Sequence, residues 1–155
     1  MTEFTNEYFR EMERVGEEYE KARAERKAEK EELIKKGDWD GVKAWSDREE
    51  NFPFPFSAGA MKAYWAWKNS IEHETDFFEV RELPWEKDAL AFIACLKEAG
   101  VSEFGVTDES TILMEVLHAF GSIGCRIEGL CTVHRTENNW GTEERISHNG
   151  IKMSI

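Results

Sequence analysis

The chain has 155 residues, with 20 lysines and arginines against 32 aspartates and glutamates, a formal net charge of −12. That length holds one ordinary domain plus an appendage, and a 41% apolar fraction that includes ten Phe and six Trp supplies one core. So acidic a chain repels phosphate backbones and anionic lipid, which disfavours direct nucleic-acid and membrane binding and leaves a basic protein surface as its electrostatic partner; the plainer use of the same charge is solubility.

Residues 3 to about 36 are predicted to form one long helix. Phe4, Tyr8, Met12, Val15 and Tyr19 recur at spacings of four, four, three and four and so share a stripe, with Thr2 or Thr5 available as the cap. From Lys21 onward the stripe gives way to a charged run held by propensity and by pairs such as Glu17–Lys21 and Glu31–Lys35, and Gly37 stops it. Asp38 caps a short second helix carrying Trp39, Val42 and Trp45. NFPFPFS follows, where Pro53 and Pro55 forbid helix and Phe52, Phe54 and Phe56 project from an extended path. The expected organisation is a helical arm over 1–50, a Pro/Phe hinge over 51–56 and a compact α/β domain over 57–155.

Within that domain Ser57 caps a helix on which Met61, Tyr64, Trp65 and Ile71 share a face. Trp67 falls off that face, either packed against the arm or offered to a partner. A strand–helix–strand–helix–strand series comes next. Its parts are TDFFEV, a helix burying Trp85, Ala89, Phe92, Ile93 and Leu96, EFGVTD, a helix burying Leu113, Val116, Leu117 and Phe120, and CRIEGLCTVHR with Cys125, Ile127, Cys131 and Val133 on one face. That order implies a parallel sheet with right-handed crossovers. The turn signals NNWGT and HNG, followed by alternating Ile151, Met153 and Ile155, add an antiparallel strand at the sheet edge. The fold class is therefore α/β (or α+β), a long helical arm followed by a small βαβαβ domain with an antiparallel C-terminal edge strand.

Few motifs carry chemistry. The turns after the first two strands, RELPWEKD and TDESTI, are acidic and lack the glycines that bring backbone N–H groups to a phosphate, so no nucleotide cofactor is expected. His73, His118, His134 and His148 have no i,i+4 partner and no HExxH, so no metal is expected. Cys95, Cys125 and Cys131 lack CxxC spacing and a basic setting, and read as buried small hydrophobes. Asp76, Asp108 and Glu128 could gather near strand ends, but nothing in their spacing singles them out. The acidic N-terminus has no signal-peptide core and no apolar run reaches the length of a membrane span, so a cytoplasmic protein is expected.

The stretch LKEAGVSEFGVTDESTILMEVLHAFGSIGCRIEGLCTVHR, followed by WG and a closing NGIKMSI, resembles an uncharacterised family of small acidic α/β proteins from bacterial mobile elements and phages. The resemblance covers about half of the chain and includes no catalytic motif, so it implies context and not chemistry. Some small acidic proteins of such elements are anti-CRISPR proteins, which block Cas nucleases. Joined to the charge, it implies a non-enzymatic, protein-binding antagonist of a nucleic-acid-binding defence machine. Trp67 and Trp140 would be its aromatic anchors, Asp108 and Glu109 its acidic contacts, and a basic surface such as that of a Cas nuclease its partner. Two other readings stay open: an enzyme or ligand-binding protein with its site at the strand carboxyl ends near Asp108, Glu109 and Ser110, and an adaptor that oligomerises through the N-terminal helix.

Overall fold

A computed structural model describes residues 6–49 and 52–155. Phe4 and the caps expected from Thr2 or Thr5 lie outside the described residues, as does the start of the hinge. The chain divides into two compact units: Arg10–Phe56, and a second that joins the segment ending at Phe9 to Ser57–Ile155.

The first unit is a helical hairpin. Helix α1, Glu7–Lys35, ends where Gly37 takes a positive φ of 69° and Asp38 N–H bonds back to Leu33 O at 3.0 Å. Asp38 then accepts from Gly41 N–H at 2.9 Å, opening helix α2, Trp39–Glu49. Trp45 Nε1 donates to Arg26 O at 2.8 Å across the pair, and the Arg48–Glu29 ion pair at 2.9 Å adds a second tie. The Phe segment packs on α1 itself: Phe52 stacks on Tyr19 at 5.0 Å with Arg26 over its other reach at 4.5 Å, and Phe54 meets Tyr19 edge-on.

The second unit is the α/β domain. Helix α3, Ala58–Glu72, starts at Ser57, whose side chain accepts from Ala60 N–H at 3.2 Å. Strand β1, Glu79–Val80, is followed by helix α4, Ala89–Glu98, strand β2, Glu103–Val106, and helix α5, Leu113–Ser122. Two long strands close the chain, β3, Arg126–Asn139, and β4, Thr142–Ser154. Phe92, Phe104 and Phe120 from α4, β2 and α5 form an aromatic cluster with centroids 5.7–6.4 Å apart, the centre of the core. A second aromatic group forms where Phe9, and not its exposed neighbour Tyr8, enters the domain: it stacks on Trp67 at 5.4 Å and on Phe78 at 6.3 Å.

The α/β class is as expected, but the sheet order is β1-β2-β4-β3. β1 and β2 are parallel, and β4 is antiparallel to both of its neighbours. The C-terminal strand is thus interior, and β3 is the edge, which corrects the expected edge position of the last strand. The cause is local. A two-residue turn folds β4 straight back along β3, and β4 then offers its other edge to β2, with Met153 opposite Phe104 on one side and Ile127 on the other. β3 also carries a bulge between Ile127 and Gly129, so the strict alternation expected of it fails there and Ile127 is exposed.

Candidate partner-binding surface

The β3–β4 hairpin outruns the rest of the sheet. β2 pairs with β4 only from Glu103↔Ser154 to Val106↔Ile151, so residues 142–150 pass beyond the carboxyl end of β2. Partway along, the segment 73–79 clamps the hairpin. Asp76 N–H donates to His134 O at 3.1 Å, and Thr136 N–H donates to His73 O at 2.7 Å. Asp76 also accepts from His134 N–H at 2.8 Å and holds the His134 ring, Nδ1 to Oδ2, at 2.7 Å. Burial pushes the Asp76 carboxyl up, but the hydrogen bonds from His134 outweigh it and hold it below the ordinary range. Glu74 takes φ 48° just past the end of α3, and its carbonyl accepts from Arg145.

Beneath this clamp lies a buried ion pair. Arg135 Nη1 meets Glu79 Oε2 at 2.6 Å, with the Glu79 side chain 1% exposed. Thr107 Oγ1 donates to the same oxygen at 2.6 Å, and Arg135 also reaches Glu137 and His148. Glu79 Oε1 is buried and has no hydrogen-bond partner. β1 and β3 do not pair as strands, and this contact links them, with Arg81, just after β1, also paired to Glu137 of β3 at 3.7 Å. It is a registering contact more than a source of stability, since desolvation offsets most of the Coulomb gain.

Above the clamp the hairpin projects. Asn139 pairs with Thr142, leaving Trp140 and Gly141 as the turn, both at positive φ (53° and 83°), with Gly141 N–H donating to Asn138 Oδ1 at 3.0 Å. This is a type I′ geometry, which favours Asn, Asp or Gly at its first position and strains a bulky side chain. Trp140 nevertheless stands there, 97% exposed. Glu143 and Glu144 flank it, both exposed and neither in an ion pair among the described residues.

The other expected contact residues are placed differently. Trp67 is 2% exposed, in the core against Phe9, and this corrects its assignment as a partner contact: the buried stripe of α3 is Gly59, Ala63, Ala66, Trp67 and Ser70, and the face expected to pack carries Trp65, which is exposed. Asp108 is engaged within the fold, accepting from Leu83 N–H at 2.8 Å and Ser110 N–H at 2.6 Å. Burial raises its pKa, and those donors outweigh the burial and lower it. Glu109 is exposed. Following β4 from Ile151 to Thr142, Trp140 lies up to about 30 Å of extended strand from the β2 end that carries Asp108 and Glu109. Asp76, Asp108 and Glu128 do not gather: they serve His134, the Leu83 and Ser110 amides, and Ser154 respectively.

A shallow groove of about 550 Å³ near the carboxyl end of β1 is lined by Trp65, Lys62, Asn69 and Glu82, and includes none of Asp108, Glu109 and Ser110. Burial raises all three thiols, Cys95 to about 11. Among the described residues no helix is long and apolar enough to cross a membrane, and no group of three or more His, Cys, Asp or Glu side chains is arranged to hold a metal ion.

A family model described as "Domain of unknown function" (DUF7698) matches residues 62–155. No curated protein matches. Among solved structures, "Alba from Thermoplasma volcanium" is similar at 8% identity over 50% of this chain and 96% of that one, with a TM-score of 0.29, too low for the likeness to inform fold or function.

Proposed function

The chain belongs to the DUF7698 family, a domain of unknown function, and we propose that it is a non-enzymatic protein-binding module that sets an acidic body against a basic protein surface and anchors there through Trp140. The observation that carries this reading is the indole at the hairpin tip: a tryptophan fully in water, in a backbone conformation that disfavours it. A fold gains nothing from that placement, whereas an interface gains a large aromatic anchor, the side-chain type most enriched at binding hot spots. Charge supports the same reading. Residues 57–125 hold five lysines and arginines against twelve aspartates and glutamates, so the domain behind the finger is strongly negative.

The partner class that fits best is a cytoplasmic nucleic-acid-binding machine, whose channel is basic by necessity. In that setting the protein is an antagonist that competes with nucleic acid, the role of an anti-CRISPR protein of a phage or mobile element. The test is affinity capture of a purified Cas nuclease by wild-type protein and by Trp140→Ala, with and without guide and target nucleic acid. Capture that weakens with salt, with added nucleic acid and with loss of the indole is the expected result. Capture indifferent to Trp140 and to nucleic acid, or none from any basic nucleic-acid-binding protein tried, sinks the reading.

A further inference from the structure

The free side of β3 is divided. At His134 and Thr136 the backbone groups that face away from β4 are taken by residues 73–76. The same parity brings the N–H and C=O of Leu130 and Thr132 to that side, and among the described residues nothing bonds them there. This open stretch also carries the largest apolar exposures on the sheet, Leu130 at 90% and Ile127 at 60%. An unpaired, apolar edge is a template for another strand.

Charge decides which strand. Two copies of a chain at −12 repel over most of their surface. Residues 126–155 are balanced, with four lysines and arginines against four aspartates and glutamates. The open edge itself, Gly129–Thr132, carries no charged side chain, so two copies approach there without a local charge penalty. We infer that a second copy of this chain pairs with the β3 edge, antiparallel about a two-fold axis near Leu130, so that each Leu130 faces its counterpart and the two sheets become continuous. A two-fold contact of this kind is self-complementary by construction. The bulge beside Gly129 limits the paired length, so the dimer is reversible and forms more readily as salt screens the two bodies. This surface is separate from the Trp140 tip and does not rest on the reading given to it.

The experiment is sedimentation equilibrium of the full chain over a wide concentration range in low and high salt. Wild type is expected to approach twice the mass of one chain, sooner in high salt. Leu130→Lys, which sets two ammonium groups face to face, and Thr132→Pro, which removes an outward N–H without touching the β3–β4 ladder, are expected to stay monomeric. Trp140→Ala is expected to dimerise like wild type. Circular dichroism checks each fold, and Thr132→Pro decides if Leu130→Lys is misfolded. A wild-type monomer at every concentration overturns the inference and leaves the edge to a segment of some other protein. A dimer that survives both edge variants overturns it in favour of the helical arm, and one lost with Trp140 overturns it in favour of the tip.

Discussion

Two residues sit in left-handed backbone where glycine or asparagine is the cheaper choice, Trp140 in the hairpin turn and Glu74 after α3. The two serve different ends. Glu74 occupies the position that ends a helix in a Schellman-type turn, with Thr75 N–H bonded to Ser70 O, and its side chain is dispensable to that geometry. Glu74→Gly is therefore expected to stabilise the domain by about 1 kcal/mol in urea unfolding. Trp140→Asn should also stabilise by about 1 kcal/mol, because Asn-Gly suits a type I′ turn, while partner binding falls at least tenfold. Stability gained and affinity lost in one substitution is the signature of a residue kept for contact. A third residue-scale expectation concerns acid. The folded pKa values of Asp76 and Asp108 lie below the unfolded value near 3.9, so their contribution is complete above that pH and is lost as pH falls through the folded values. The urea midpoint should hold from pH 7 to about 5 and drop below about 4, and Asp76→Asn should flatten part of that drop.

At the scale of elements, the hairpin depends on a contact between strands that do not pair. Arg135→Met leaves the Glu79 carboxylate buried without its guanidinium and is expected to cost about 3–5 kcal/mol, read from urea midpoints. Adding Glu79→Gln should recover most of that, since the cost lies in the orphaned charge and not in the missing attraction. This contact was not legible in the sequence: 56 positions separate the two residues, and each alone reads as an ordinary polar strand residue. Elements set by local chemistry were legible. The stop at Gly37, the caps at Asp38 and Ser57, the inward faces of α4 and α5, and the turn at Trp140–Gly141 all follow from neighbours a few residues away, except that Trp85, expected on the buried face of α4, precedes that helix and is 61% exposed. Two further expectations failed. Trp67 was misplaced because the larger Met61, Tyr64, Trp65 and Ile71 drew the stripe away from Gly59, Ala63, Ala66 and Ser70, the small residues that share its buried face, and β4 reads as an edge strand because nothing local reveals that β2 has an open side for it. The exposure of Trp140 was legible because its turn leaves it no core to enter, whereas the hydrogen bond that Asp108 accepts from the Leu83 amide was not, the two residues being 25 positions apart.

For the whole molecule, charge separates the two surfaces proposed here. Partner binding draws on opposite charge and should weaken as ionic strength rises from about 0.05 to 0.5 M, over which the screening length falls severalfold. Self-association opposes like charge and should strengthen over the same range, so one salt series on one preparation distinguishes them. The position of β4 has a separate consequence, for synthesis. One of the two interior strands of the sheet, β4, is the last of the four to leave the ribosome. Until residues 142–154 emerge, β2 has only two-residue β1 beside it and β3 has no strand partner at all. The nascent chain therefore cannot assemble its sheet progressively, and ribosome-bound fragments ending before about residue 140 should be cleaved by protease as readily as unfolded chain.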